Sequence, residues 1–255
     1  MDNLHNIVVC AKPNPQATRT LVCLGFCGGG SGPYLPWADV LPPDVELATI
    51  CYPGRDGRFL DDYAEDWDAL AEDATSAVLA AATVRPYVLF GHSMGGWMAF
   101  DVANRLEQRD GRLPEALVVS SANAPSRGLT PRDIFPAQHD TNEQLLDWMR
   151  TNGLLPGYVL DDPELREMAL ELMRADIRVR DTFGYTEGTG VSVPLQVLTG
   201  ADDDVIVADT AEQWRALARG GYQHVELPGG HFYTPEIWRT LPSFINALAP
   251  LLAGH

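Results

Sequence analysis

At 255 residues, with 45% hydrophobic and 21% charged side chains, the chain has the composition of a globular enzyme and is long enough to bury a large core. A formal net charge of −17 argues against nucleic acid, whose phosphates would be repelled, and against anionic membrane surfaces. With no basic-then-apolar signal pattern and no apolar run able to span a bilayer, a cytoplasmic protein is expected, folded as one domain over residues 1–255 and monomeric.

Residues 7–10 form a first edge strand, and Thr20-Leu21-Val22-Cys23-Leu24 reads as a buried strand running into the glycine-rich stretch Gly25-Phe26-Cys27-Gly28-Gly29-Gly30. Residues 45–51 make the next strand, closed by Tyr52-Pro53-Gly54-Arg55. A helix is expected over residues 61–82, where Tyr63, Trp67, Leu70, Ala74 and Ala77-Val78 share a face. The four cysteines, Cys10, Cys23, Cys27 and Cys51, fall in or beside these early strands. The spacing of Cys23 and Cys27 lacks a second pair or a histidine cluster, so buried free thiols are expected and no metal.

Next comes Pro86-Tyr87-Val88-Leu89-Phe90, a strand that ends in Gly91-His92-Ser93-Met94-Gly95, after which apolar residues recur at helical spacing to Leu106. A G-x-S-x-G held between a strand and a helix is the setting of a nucleophile elbow, whose tight turn puts the serine in strained backbone geometry. Residues 115–120 form a further strand. Strands and helices alternating at this spacing imply a mostly parallel central sheet with helices on both faces.

From about 125 to 190 the alternation stops. Helical stretches over 141–152 and 163–182, separated by Gly153-Leu154-Leu155-Pro156-Gly157, suggest a helical lid insertion whose Met and Leu residues pack on the core or line an acyl tunnel. The sheet resumes at 193–199 and leads into Gly200-Ala201-Asp202-Asp203-Asp204. A helix over 208–219, a strand over 224–227, the loop Pro228-Gly229-Gly230-His231-Phe232-Tyr233 and a closing helix over 235–252 complete the chain.

A serine hydroxyl needs a base, and position sorts the six histidines. His5 and His255 are terminal, His139 lies in the insertion, His224 starts a strand, and His92 points away from its neighbour Ser93. His231, in a glycine-flexed loop after the last strand, is the base. The strand after the elbow helix ends in Asn123 and offers no acid, so the carboxylate comes from the 202–204 turn. Asp203, followed by the anchoring pair Val205-Ile206, is preferred over Asp202 and Asp204. The order Ser93, Asp203, His231 is that of an α/β-hydrolase. For the oxyanion, one donor is the Met94 N–H at the head of the elbow helix. The second comes from Cys27, Gly28 or Gly29, with Gly28 chosen.

The chain resembles the type II, editing thioesterases of polyketide and nonribosomal peptide assembly lines over nearly its whole length. The resemblance rests on Leu21-Val22-Cys23 with Gly29-Gly30-Ser31, Trp37, Leu41-Pro42, Pro53-Gly54-Arg55, Gly91-His92-Ser93-Met94-Gly95, Arg174-Ala175-Asp176, Gly200-Ala201-Asp202-Asp203 and Gly229-Gly230-His231-Phe232. It implies an α/β-hydrolase fold with a helical lid, no cofactor, and hydrolysis of acyl groups from the phosphopantetheine arm of an acyl or peptidyl carrier protein. The family's triad falls on Ser93, Asp203 and His231, and its oxyanion positions on Met94 and Gly28. The family's usual Phe-Pro-His-Ala is replaced here by Gly25-Phe26-Cys27-Gly28. A product-releasing thioesterase and a small-molecule carboxylesterase share the same chemistry. An acidic carrier would need a basic patch, for which Arg55, Arg58, Arg174, Arg178 and Arg180 are candidates beside the alternative of ordinary ion pairs.

Overall fold

Alternation along the strands decides how the sheet is covered. In the buried run Arg19–Leu24, Leu21 and Cys23 join one apolar cluster while Val22 and Leu24 join another, so both faces of the sheet are packed. The computed structural model describes residues 4–249 except Arg132 and Phe135.

In chain order the elements are α1 (Leu4–Ile7), β1 (Val8–Val9), β2 (Arg19–Leu24), β3 (Val45–Ile50), α2 (Trp67–Ala81), β4 (Tyr87–His92), α3 (Met94–Gln108) and β5 (Ala116–Ser120). Then come α4 (Asn142–Thr151), α5 (Gly157–Asp161), α6 (Pro163–Arg180), β6 (Leu195–Gly200), α7 (Thr210–Leu217), β7 (Tyr222–Leu227) and α8 (Pro235–Thr240). The strands form a seven-stranded sheet in the order β1-β3-β2-β4-β5-β6-β7, parallel throughout except for β1 against β3. This is the expected α/β-hydrolase architecture. One face is covered by α2, α3, α6 and Trp214 of α7, the other by Tyr34, Trp37 and the segment after α8.

The strand order reverses between β2 and β4, because the chain moves outward to β3 on one side and to β5 on the other. Such a switch point opens a crevice at the carboxyl ends of its strands. The loop after β2 and the residue after β4 flank it, which is where Gly28 and Ser93 lie.

The described elements depart most from expectation in three places. The helix predicted from 61 begins at Trp67, because Asp66 caps it by accepting from the Ala69 N–H; Tyr63 instead lies where a Cβ on Gly54 would be. The closing helix stops at Thr240 and continues as 3-10 turns at Leu241–Phe244 and Asn246–Leu248, since Pro242 cannot supply the next helical N–H. Its predicted end at 252 falls outside the described residues. Between β5 and β6 the separator at 153–157 is followed by the additional short helix α5. No helix among the described residues is long and apolar enough to cross a membrane.

Candidate active site

Glycine at both ends of the elbow is a steric requirement. A Cβ on Gly91 would fall on the carbonyl of Gly95, and one on Gly95 would come within 2.7 Å of the carbonyl oxygens of Leu24 and Gly25. The turn holds Ser93 at φ 53, ψ −124, a conformation costly for a residue with a Cβ, between β4 and the first turn of α3. Its own N–H is tied to the Ser120 carbonyl at 2.8 Å and its carbonyl to the Gly96 N–H at 2.8 Å, so the neighbouring strand and helix over-determine the strain. The hydroxyl is left at the mouth of the crevice.

Ser93, Asp203 and His231 come together from three loops. His231 Nε2 lies 3.0 Å from Ser93 Oγ, and its Nδ1 lies 3.0 Å from Asp203 Oδ2. The Asp203 side chain is fully enclosed and its second oxygen accepts from the Val205 N–H at 3.0 Å. An ionised carboxylate can only accept, so it fixes the proton on Nδ1 and leaves Nε2 to accept from the serine. Asp202 and Asp204 sit in the same turn without this contact; Asp202 is exposed, like most acidic turn residues.

Gly28, expected as the second oxyanion donor, has its N–H engaged elsewhere. Its N–H donates to Asp176 Oδ2 at 2.8 Å, so it is spent on a side chain from α6 and not on the space above Ser93. Phe26 to Gly29 form a tight turn, with the Gly29 N–H on the Phe26 carbonyl at 2.9 Å and Gly28 at φ 72. A trans peptide points its N–H opposite its C=O, so the Cys27 N–H faces out of that turn. Cys27 lines a cavity of about 40 Å³ together with Ser93, Met94, Trp97, Trp148 and His231. Burial pushes its thiol up to about 12, which leaves it an apolar wall and no rival nucleophile. Met94 opens α3, where a first-turn N–H has no acceptor within the helix and the dipole favours negative charge. On the other side of His231 a cavity of about 500 Å³ is lined by Phe26, Leu154, Phe232 and Trp238.

Several residues outside the triad support it. His92 is fully buried, with Nδ1 3.0 Å from Ser120 Oγ, which in turn lies 2.7 Å from the Tyr233 hydroxyl. Asn123, which offers no acid, braces the loop bearing Asp203: its amide donates to the Val205 carbonyl, and its oxygen accepts from the Val207 N–H and the Thr210 hydroxyl. Nothing in the sequence near 123 points to a loop some 80 residues later. The arginines proposed as a basic patch are largely consumed. Arg55 is buried against Asp176, Arg58 pairs with Asp61 and Asp73, and Arg180 is buried against Asp181. Arg174 donates to Asn142 and to backbone carbonyls, and Arg178 alone of the five is exposed. The cysteines are free, with Cys23, Cys27 and Cys51 buried. Among the described residues no group of three or more His, Cys, Asp or Glu is placed to hold a metal ion.

Comparison with known proteins places this geometry in context. The sequence model of the thioesterase domain family matches residues 19–250. The chain is similar to the AMB antimetabolite synthetase AmbE of Pseudomonas aeruginosa, with 36% identity over 85% of this chain, though it spans only 10% of that synthetase. It is 31% identical to the thioesterase PikA5 of Streptomyces venezuelae, over 92% of this chain and 82% of that one. Among solved structures, the type II thioesterase BorB from the borrelidin biosynthetic cluster superposes with a TM-score of 0.81 at 34% identity, covering 95% of this chain and 97% of that one.

Proposed function

The chain belongs to the thioesterase domain family, whose members hydrolyse thioesters, and from that premise we propose that it is a stand-alone editing enzyme of polyketide or nonribosomal peptide synthesis. Its substrate is an aberrant or stalled acyl group on the phosphopantetheine arm of an acyl or peptidyl carrier protein. The observation that carries the mechanism is the line of two 3.0 Å contacts from Asp203 through His231 to Ser93.

Ser93 Oγ attacks the thioester carbonyl carbon as its proton passes to His231 Nε2. Asp203 holds the imidazole in place and stabilises the cation that forms. The tetrahedral oxyanion takes hydrogen bonds from the N–H groups of Met94 and Cys27, each worth about 3–4 kcal/mol in transition-state stabilisation. Collapse breaks the C–S bond, His231 returns its proton to the sulfur, and the acyl group stays on Ser93 as an ester. Water then attacks that ester, giving its proton to His231; collapse releases the acid and restores the Ser93 hydroxyl. The small cavity beside Ser93 receives the thioester carbonyl, and the cavity of about 500 Å³ beyond His231 takes the pantetheine arm. Helices α4 to α6 act as the lid over the crevice.

The test compares kcat/KM for an acyl-carrier thioester with that for a simple aryl ester, with Ser93→Ala as the blank. A strong preference for the carrier thioester, with free acid as the product by mass spectrometry, supports the reading. Preference for the aryl ester would identify a carboxylesterase instead, and a lactone or lactam would identify a product-releasing enzyme.

A further inference from the structure

Three of the stretches that carry the family resemblance have no part in the reaction as written: Gly29-Gly30-Ser31, Pro53-Gly54-Arg55 and Arg174-Ala175-Asp176. In the fold they meet at one point. Asp176, from the C-terminal third of α6, accepts from the Gly28 N–H at 2.8 Å and from Arg55 through both carboxylate oxygens, at 2.8 Å from Nη1 and 2.5 Å from Nη2. Arg55 Nη1 also donates to the Gly29 carbonyl at 2.9 Å. The side chains of the pair are 6% and 3% exposed, so both charges are held out of water. The next turn of the loop is fixed in a similar way, with the Ser31 N–H on Asp56 Oδ2 at 2.7 Å.

Stability alone is a poor reason for such a pair. Removing two charges from water costs about as much as their attraction returns, and a well-packed apolar pair is often as stable or more so. What the pair does that an apolar one cannot is grip the peptide before Gly28 and the peptide after Gly29. We propose that Arg55 and Asp176 are positioning residues that set the oxyanion hole. By holding the Gly28 N–H and the Gly29 carbonyl, they fix the turn whose outward face presents the Cys27 N–H to Ser93. They also tie that turn to α6, so the donor is in place only while this helix is seated. Contact of Met173 with Gly28 reinforces the tie: a Cβ on Gly28 would lie 2.5 Å from Met173 Cε.

The inference rests on the assignment of Ser93 as nucleophile and Cys27 N–H as donor, and its test does not need the carrier protein. The rate at which a fluorophosphonate labels Ser93 depends on the serine, its base and the oxyanion donors. R55M/D176L replaces the pair by apolar side chains and leaves the Gly28 N–H without its acceptor. R55Q/D176N removes the charges but retains an amide oxygen for it. The expected result is labelling about 100-fold slower in R55M/D176L, the loss of one oxyanion donor, with a similar fall in kcat and KM changed by less than about threefold. R55Q/D176N should stay within about tenfold of the parent enzyme. Parental labelling by a folded R55M/D176L, or a 100-fold loss in a folded R55Q/D176N, would overturn the proposal. Should R55M/D176L fail to fold, R55Q/D176A, which leaves the Gly28 N–H without its acceptor but buries no charge, takes its place: a loss of about 100-fold supports the inference and a parental rate overturns it. A parent enzyme that labels at Ser93 yet leaves carrier thioesters intact sinks the substrate reading while leaving these labelling rates decisive.

Discussion

His92 carries a pH signature that the proposed reaction does not use. Burial, and secondarily the charge of His231, hold its pKa well below the ordinary histidine value. Its ring is packed among Phe26, Phe232, Trp238 and His231, with Ser120 on Nδ1. The folded protein therefore keeps His92 neutral in a range where the unfolded chain protonates it. Stability from this group is complete above the unfolded value of about 6.5 and is lost as pH falls below it, at up to about 1.4 kcal/mol per pH unit. His224, lowered by partial burial, acts in the same direction. Thermal unfolding should show Tm dropping between pH 7 and 5, and the drop should be shallower in His92→Phe. A parallel decline in both proteins would remove His92 as the cause. At the same scale, Cys27 should resist iodoacetamide at pH 8 in the folded enzyme and react once unfolded, as read by peptide mass spectrometry, because its thiol is pushed up to about 12. Since only its backbone is assigned a role, Cys27→Ala should hold kcat within about threefold.

At the scale of elements, the elbow is the least tolerant part of the chain. In Gly91→Ala the new methyl meets the Gly95 carbonyl, which α3 holds in place, so neither side can yield cheaply. The expected cost is above about 4 kcal/mol, or failure to fold, measured by urea denaturation. A loss under 1 kcal/mol would mean that the turn is looser than its φ of 53 at Ser93 implies. This element was also the most legible in the sequence, because strand, glycine spacing and helix are all local patterns. The strands of the sheet lie within a residue or two of their expected spans for the same reason. Legibility failed where a distant side chain decides. Gly28, Cys27 and Gly29 look equivalent as sequence; the choice among them turns on Asp176, which is 148 residues away. Asn123 reads as a missing acid until the loop around Val205 folds onto it. The apolar spacing from Tyr63 onward does not mark where α2 begins, because its start is set by Asp66, which takes the cap.

At the scale of the whole molecule, the charge distribution makes its own demand on the proposed partner. With a net charge of −17 and most basic side chains already paired internally, an acidic carrier protein meets repulsion on approach. Of the five arginines weighed as a docking patch only Arg178 is exposed, while Lys12, Arg109, Arg150, Arg215, Arg219 and Arg239 are exposed elsewhere, the first four beside acidic partners. Added salt shortens the range of that repulsion, to a Debye length of about 8 Å near 0.15 M. Hydrolysis of an acidic acyl-carrier should therefore quicken with salt, kcat/KM rising by about threefold to tenfold between 10 and 150 mM. A short, uncharged acyl thioester, which reaches the same Ser93 without a protein attached, should show almost no change over that range. The comparison separates encounter from chemistry, because both substrates share the tetrahedral step and only one brings a charged surface. A kcat/KM that falls with salt for the carrier substrate would instead reveal a favourable docking field set by the exposed cations, Arg178 first among them because it lies on α6.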